Sequence, residues 1–406
     1  MTTITDPQQD GGFRLSQLIY DTRYRSTTIQ VIALIAFLMI IAFLIRNTVI
    51  NLGILGKDIN FSFLGTASNY DINQRLIPYD SADSHFRAAM VGLLNTLLVA
   101  VLGCILATII GIIAGVLRLS KNWLTAKIMA VYVESFRNIP VLLWILAFMA
   151  IFTEMDRQPK SFRGENAQNS MWLWDSVAVT NRGTYIPAPV WEANSSLVVI
   201  TFLLSLLGIW AFGKYSMRRF QATGELLPNF WIKLGIFVVP TLVVYFLLGR
   251  PVGMELPELK GFNFAGGTFM RNSMLALWLA LSFYTGAFIA EIVRSGILAI
   301  SSGQSEASAA LGMRPSRTMN LVILPQALRV IIPPLISQYL NLTKNSSLAL
   351  AVGYTDLRST LGGTTLNTTG RELECMLLMM LLYLLVSLTI SSGMNFYNKS
   401  VKLKER

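Results

Sequence analysis

One histidine and two cysteines in 406 residues leave little for metal or thiol chemistry. Cys104 and Cys375 each sit inside an apolar run, so neither a disulfide framework nor a zinc site follows. His85 has no Ser or Cys nucleophile and no metal-ligand partner at a recognisable spacing. The usual hydrolase and zinc-enzyme patterns are therefore absent, and His85 reads as a solvated loop histidine. Charge is scarce too, at 14 % of residues against about a quarter in soluble domains, which excludes an ordinary water-soluble enzyme. No G-x-x-x-x-G-K-[ST] run occurs, so no loop cradles nucleotide phosphates in the manner of P-loop ATPases. The first 27 residues are polar, and the first apolar run is long and lacks a small-residue cleavage site. No cleavable signal peptide is expected.

What the chain does have is apolar length. Hydrophobic residues make up 53 % of it, grouped into runs of about 18 or more, the length that crosses a bilayer as helix. Eight spans are expected, at 28–45, 88–117, 128–153, 195–213, 232–249, 272–293, 327–352 and 373–397. The seventh holds Pro333-Pro334 and a polar stretch, and is expected to be broken or partly re-entrant. The net charge of +11 sits in loops between apolar runs, which reads as membrane topology rather than nucleic-acid binding. With a cytoplasmic N-terminus the inner segments and their edges hold 18 basic residues against 13 outside. Both termini then lie inside. The two large outer loops, 46–87 and 154–194, carry Trp172, Trp174, Tyr185 and Trp191, which suit an aromatic belt or a docking surface.

Within the spans three features stand out. Gly103, Ala107, Gly111 and Gly115 recur every four residues and give one small-residue stripe, either a seam inside the chain or a contact between two chains. Glu134 and Arg137 lie three apart, about one helical turn, where each can offset the other's burial, with Pro140 removing a backbone hydrogen bond nearby. Asn341, Lys344 and Asn345 gather on one helix face, widened by Ser346 and Ser347. Polar residues at such depth hold helices in register or line a solute path. Arg137 or Lys344 would attract a carboxylate and Glu134 an ammonium, as a zwitterion requires.

The inner segment from Ser295 to Leu324 is too long for a plain connector and reads as helix, turn, helix. Gly312 is placed to end the first helix in a left-handed conformation, and Pro325 forbids a simple continuation of the second. A short helix of small residues with one acid, Glu306, is shaped either to be gripped by another protein or to lie on the membrane surface.

Here a resemblance becomes specific. Glu306-Ala307-Ser308, three residues, Gly312, nine residues, Val322-x-Leu324-Pro325 resembles the E-A-A-x-x-x-G-(nine)-I-x-L-P loop of permease subunits in binding-protein-dependent ABC importers, with Ser308 and Val322 as mild departures. The stretches 132–142 and 325–348 are similar to polar-amino-acid permeases, and Leu93-Leu94-Asn95-Thr96-Leu97 fits the start of their transport core. The extra first span, the outer insertion and the helix pair at 195–249 resemble the larger membrane subunits of the general L-amino-acid permease group.

The resemblance implies an all-α polytopic membrane protein of about eight transmembrane helices, an ABC importer permease (MetI-like) bundle with extra helices, in the bacterial inner membrane. It implies a cytoplasmic segment 1–27, an extra span and periplasmic loop 28–87, a permease domain 88–397 with insertion 154–249 and coupling loop 295–325, and a cytoplasmic tail 398–406. The expected partners are a second permease chain, two ATP-binding subunits, a periplasmic amino-acid-binding protein, L-amino acids and lipid, with no nucleic acid. ATP and Mg would sit on the partner subunits, this chain holding no cofactor and no catalytic or metal site. Glu306, Ala307, Gly312, Leu324 and Pro325 would couple to the ATPases, and Glu134, Arg137, Asn341 and Lys344 would line the path. The competing expectation is an ion-coupled secondary transporter, which needs free acids or broken helices at mid-membrane.

Overall fold

A computed structural model describes residues 17–20, 22–56, 58–155, 157–163, 167–224 and 228–401. The segment 1–16, with Arg14, and the last residues 402–406, with Lys402, Lys404 and Arg406, lie outside the described residues, as does Asp156.

Among the described residues ten principal helices are found. They are α1 (Thr22–Ile54), α2 (His85–Leu117), α3 (Trp123–Asn138), α4 (Val141–Glu154), α5 (Ser195–Thr223), α6 (Asn229–Leu247), α7 (Asn272–Leu298), α8 (Ser302–Ala310), α9 (Leu324–Asn345) and α10 (Glu372–Val401). Among the described residues seven helices or helix runs are long and apolar enough to cross a membrane, or eight if the bent pair α3 and α4 counts as one span.

That pair corrects the expected third span. The chain turns by 109° between α3 and α4 because Ile139 is extended (φ −101°, ψ 134°). A residue before proline is driven out of the helical region, and Pro140 has no N–H to continue the ladder. The seventh span is corrected in the other sense. Helix runs without a break from Pro315 to Val352, past both Pro333 and Pro334. Pro325 does not stop it either: a π turn at Met319–Ile323 widens the helix just ahead of the ring, which relieves the clash that a proline makes with the carbonyl four residues back. The break falls later, at Gly353 (φ +71°). Short helical turns at 357–369 follow, closed by Gly370 (φ +64°).

The core is built on α2 packed along α7, with α4 and α9 against the same helix. The small-residue stripe makes this possible. A Cβ on Gly111 would lie 2.5 Å from Ile289, one on Gly115 2.7 Å from the Ala290 carbonyl, and one on Gly103 3.0 Å from Leu342. The stripe is therefore a seam inside the chain. In contrast, α1 exposes large apolar side chains all round, among them Ile32, Phe37, Met39 and Phe43, the pattern of a helix solvated by lipid. Helices α5 and α6 pack on each other as a hairpin, tied by Ser216 Oγ donating to Asn229 Oδ1 at 2.6 Å.

At the end of the bundle where α7 begins, the insertions form a small platform of antiparallel strands: β1 (Ala178–Thr180), β2 (Gly183–Ile186), β3 (Ala188–Trp191), β4 (Val252–Glu255), β5 (Glu258–Lys260), β6 (Asn263–Ala265) and β7 (Thr268–Arg271). They pair as β1-β2-β7, β3-β4 and β5-β6. Tyr185, expected at a surface, is buried here with Ala178 and Phe264, whereas Trp172, Trp174 and Trp191 are exposed. The 27 residues of α7 separate this platform from α8 by about 40 Å of helix.

Candidate functional site

The arm α8 is fastened at both ends. Ser301 caps it, its hydroxyl accepting from the Gly303 N–H at 3.3 Å. At the far end Gly312 takes the left-handed conformation (φ +71°). Its N–H donates to the Ala309 carbonyl at 2.9 Å and that of Met313 to Ser308 at 3.1 Å, the paired bonds of a Schellman stop. Ser308 is buried and its hydroxyl donates to the Gln304 carbonyl at 2.7 Å, while Gln326 Nε2 donates to Gln304 Oε1 at 3.3 Å. Glu306, Ala307, Gly312, Leu324 and Pro325 are all exposed. The arm thus presents an acid and small residues outward and turns its buried serine toward the chain.

Glu134 and Arg137 do not neutralise one another as expected. Arg137 lies 3.9 Å from the carboxylate of Glu291, which also accepts from Arg118 and, at 3.1 Å, from Arg294. Glu134 sits at the edge, 3.9 Å from Arg118. The cluster joins α2, α3 and α7 near the α8 end of the bundle. Arg137 also stacks over Phe288 at 5.5 Å. An aromatic clasp holds the bent pair to α7: Phe136 stacks on Trp144 at 4.0 Å and on Phe283 at 5.9 Å, and the Tyr132 hydroxyl donates to the Phe283 carbonyl at 2.7 Å. The bend at Pro140 is what lets Phe136 and Trp144 face each other.

Asn341 and Lys344 share an exposed face of α9, but Ser346 does not widen it. That side chain is fully buried, its hydroxyl donating to the Thr343 carbonyl at 2.7 Å. Lys344 and Ser347 instead line a cavity of about 340 Å³ with Arg358, Met376, Met379 and Tyr383. Glu134 and Arg137 are not among its lining residues, so Lys344 lies apart from Glu134, whereas Glu134 and Arg137 both belong to the Glu291 cluster.

Sequence reasoning missed a polar knot formed by the segment after Gly353. Asp356 is fully buried and caps the next turn, accepting from the Ser359 N–H at 2.8 Å, from its hydroxyl at 2.9 Å and from Tyr383 at 3.2 Å. Asn95 Nδ2 donates to the carbonyls of Gln74 at 2.7 Å and Thr355 at 2.8 Å, and the Thr96 hydroxyl accepts from the Leu357 N–H at 3.0 Å. Gly92 leaves the room, since a Cβ there would strike Thr360. His85 belongs to the same assembly rather than to solvent: it is 3 % exposed, 3.3 Å from the Thr365 hydroxyl and flanked by the Phe63 and Tyr70 rings. The Ser84 cap starts α2 immediately before it, which turns the ring inward. Burial pushes the Tyr70 phenol up to about 12, and the phenol lies 2.9 Å from the same Thr365 hydroxyl. The signals in the sequence were the buried-looking Asn95-Thr96 and the glycine punctuation at 353, 362, 363 and 370.

Residues 211–402 match the family model described as binding-protein-dependent transport system inner membrane component. The chain is 56 % identical, over 429 aligned positions covering all of both chains, to the glutamate/glutamine/aspartate/asparagine transport system permease protein BztB of Rhodobacter capsulatus. It is 40 % identical to the general L-amino acid transport system permease protein AapQ of Rhizobium johnstonii, over 99 % of this chain and 98 % of that one.

Proposed function

Since the chain belongs to the family of binding-protein-dependent transport system inner-membrane components, which are transport permeases and not enzymes, we propose that it is the membrane subunit of an ATP-driven importer of L-amino acids. It pairs with a second permease chain around the solute path. Two ATP-binding subunits, which carry ATP and Mg, engage it from the cytoplasm, and a periplasmic binding protein delivers the amino acid to the other face. In this reading the chain lies in the bacterial inner membrane with both termini cytoplasmic, in line with the excess of basic residues on the α8 side.

The observation that carries the reading is the arm. Helix α8 is capped at both ends, exposes Glu306 and Ala307, and continues through one turn into a helix that runs unbroken from Pro315 to Val352. Motion imposed on the arm is thereby delivered to the far half of the membrane, where the chain bends at Gly353. A rigid element biased by ATP closure supplies the differential contacts that alternating access needs. Through the Glu291 cluster, α2 and α3 are fastened to α7, whose end leads into the arm.

Ion-coupled transport is not favoured. Glu134 and Glu291 lie in the arginine cluster, Glu374 pairs with Arg371 at 3.3 Å, and Asp356 caps its own turn. Co-purification tests the proposal: an ATPase subunit stays with the wild type and is lost with Glu306→Lys plus Gly312→Pro. Equal recovery of the ATPase from both would refute it.

A further inference from the structure

The cavity beside Lys344 carries more positive charge than the fold requires. Lys344 comes from α9, Arg358 from the first turn after Gly353, and Met376, Met379 and Tyr383 from α10. Among the described residues neither Lys344 nor Arg358 forms an ion pair with a carboxylate, and both are exposed. Asp356, two residues before Arg358, is fully buried beneath the cavity, its carboxylate engaged by Ser359 and by the lining residue Tyr383. The three α10 residues lie four to eleven positions from its first residue, roughly 6 to 17 Å into the span at 1.5 Å per residue. Two unpaired cations at that depth are costly unless they meet water and an anion. The volume of about 340 Å³ falls at the small end of ligand pockets.

On the premise that the chain is an amino-acid importer, we infer that this cavity is a carboxylate station for acidic L-amino acids, with Lys344 and Arg358 each taking one of the solute's two carboxylates. The fixed fork of Arg358 suits bidentate pairing and the flexible Lys344 a point contact. Met376 and Met379 give the solute's methylenes an adaptable apolar wall. Ser347, which also lines the cavity, offers a hydroxyl of either hydrogen-bonding polarity. Its polar floor is held by the Tyr383 to Asp356 bond, so the station is anchored to the segment that bends at Gly353. A neutral amide such as L-glutamine would leave one cation without a counter-charge, which costs affinity because a desolvated charge is left unpaired.

Equilibrium binding of radiolabelled L-glutamate and L-glutamine to the complete transporter in nanodiscs, without the soluble binding protein, tests this. The wild type is expected to hold L-glutamate about tenfold more tightly than L-glutamine. Lys344→Gln and Arg358→Gln should each remove that preference, with Lys344→Arg restoring it and size-exclusion profiles unchanged. Absence of binding, equal affinity for the two solutes, or variants that bind as the wild type does would overturn the assignment. So would a phosphatidylglycerol adduct in native mass spectrometry that both Gln variants lose and L-glutamate does not displace. ATP-driven uptake by the wild-type assembly, with the binding protein added, separates the two failures: if it persists while the site result is negative, only the station is wrong, and if it is absent the importer reading itself is wrong.

Discussion

The Arg118 guanidinium, at the end of α2, donates to the Glu291 carboxylate on α7, 173 residues away in the chain. Both side chains are well covered, at 12 % and 29 % exposure, and Arg137 and Arg294 approach the same carboxylate. Glu291→Gln leaves three arginines without their shared counter-charge. Because the groups are partly screened, the expected loss is about 2 kcal/mol rather than the full cost of a buried charge, read as a lowered midpoint in thermal unfolding in detergent. Arg118→Gln in the same chain should recover part of that loss, since the two sites are coupled.

Gly111→Val tests whether the stripe closes the chain on itself. The added carbons would enter Ile289 and approach the Gly286 carbonyl, so destabilisation of about 1–3 kcal/mol is expected in the chain without its partners. If the unfolding midpoint is unchanged and only association with a second permease chain falls, the seam lies between chains instead.

Thr96→Val tests the knot below Gly353. The substitution keeps the shape and removes the oxygen that accepts the buried Leu357 N–H. An unsatisfied buried donor costs about 1–3 kcal/mol. Faster proteolysis or hydrogen exchange at 353–370 is expected, with the α8 arm unaffected. Equal protection of the segment in both proteins would show that the bond contributes nothing.

Gly312→Ala probes the arm gently. Nothing crowds the position, so the penalty is the left-handed backbone alone, about 1 kcal/mol. The expected outcome is reduced ATPase retention with near-normal yield of the membrane chain. Full retention would mean that the Schellman stop is not needed for the arm's grip.

Much of this was legible in the residues. Apolar length placed the spans, and the spacing from Glu306 through Gly312 to Pro325 placed the arm, because both depend on local chain geometry. The left-handed Gly312 followed from glycine's lack of a Cβ. What failed were readings that needed neighbours from distant sequence. Arg137 chose Glu291 over Glu134, His85 was buried by Thr365 and Tyr70, and the prolines at 325, 333 and 334 were absorbed by a π turn and a continuing helix. Arg358 became a partner to Lys344 only when the chain bent back at Gly353. The small strands of the platform gave too short a pattern to be read beside eight apolar runs.

The most direct measurement is solute uptake into proteoliposomes holding the purified complex, with the amino-acid-binding protein on one side and ATP on the other. Labelled L-amino acid is expected to accumulate only when ATP is present and hydrolysed, and Glu306→Lys plus Gly312→Pro should abolish accumulation. Accumulation driven by a proton or sodium gradient with no ATP present would contradict it.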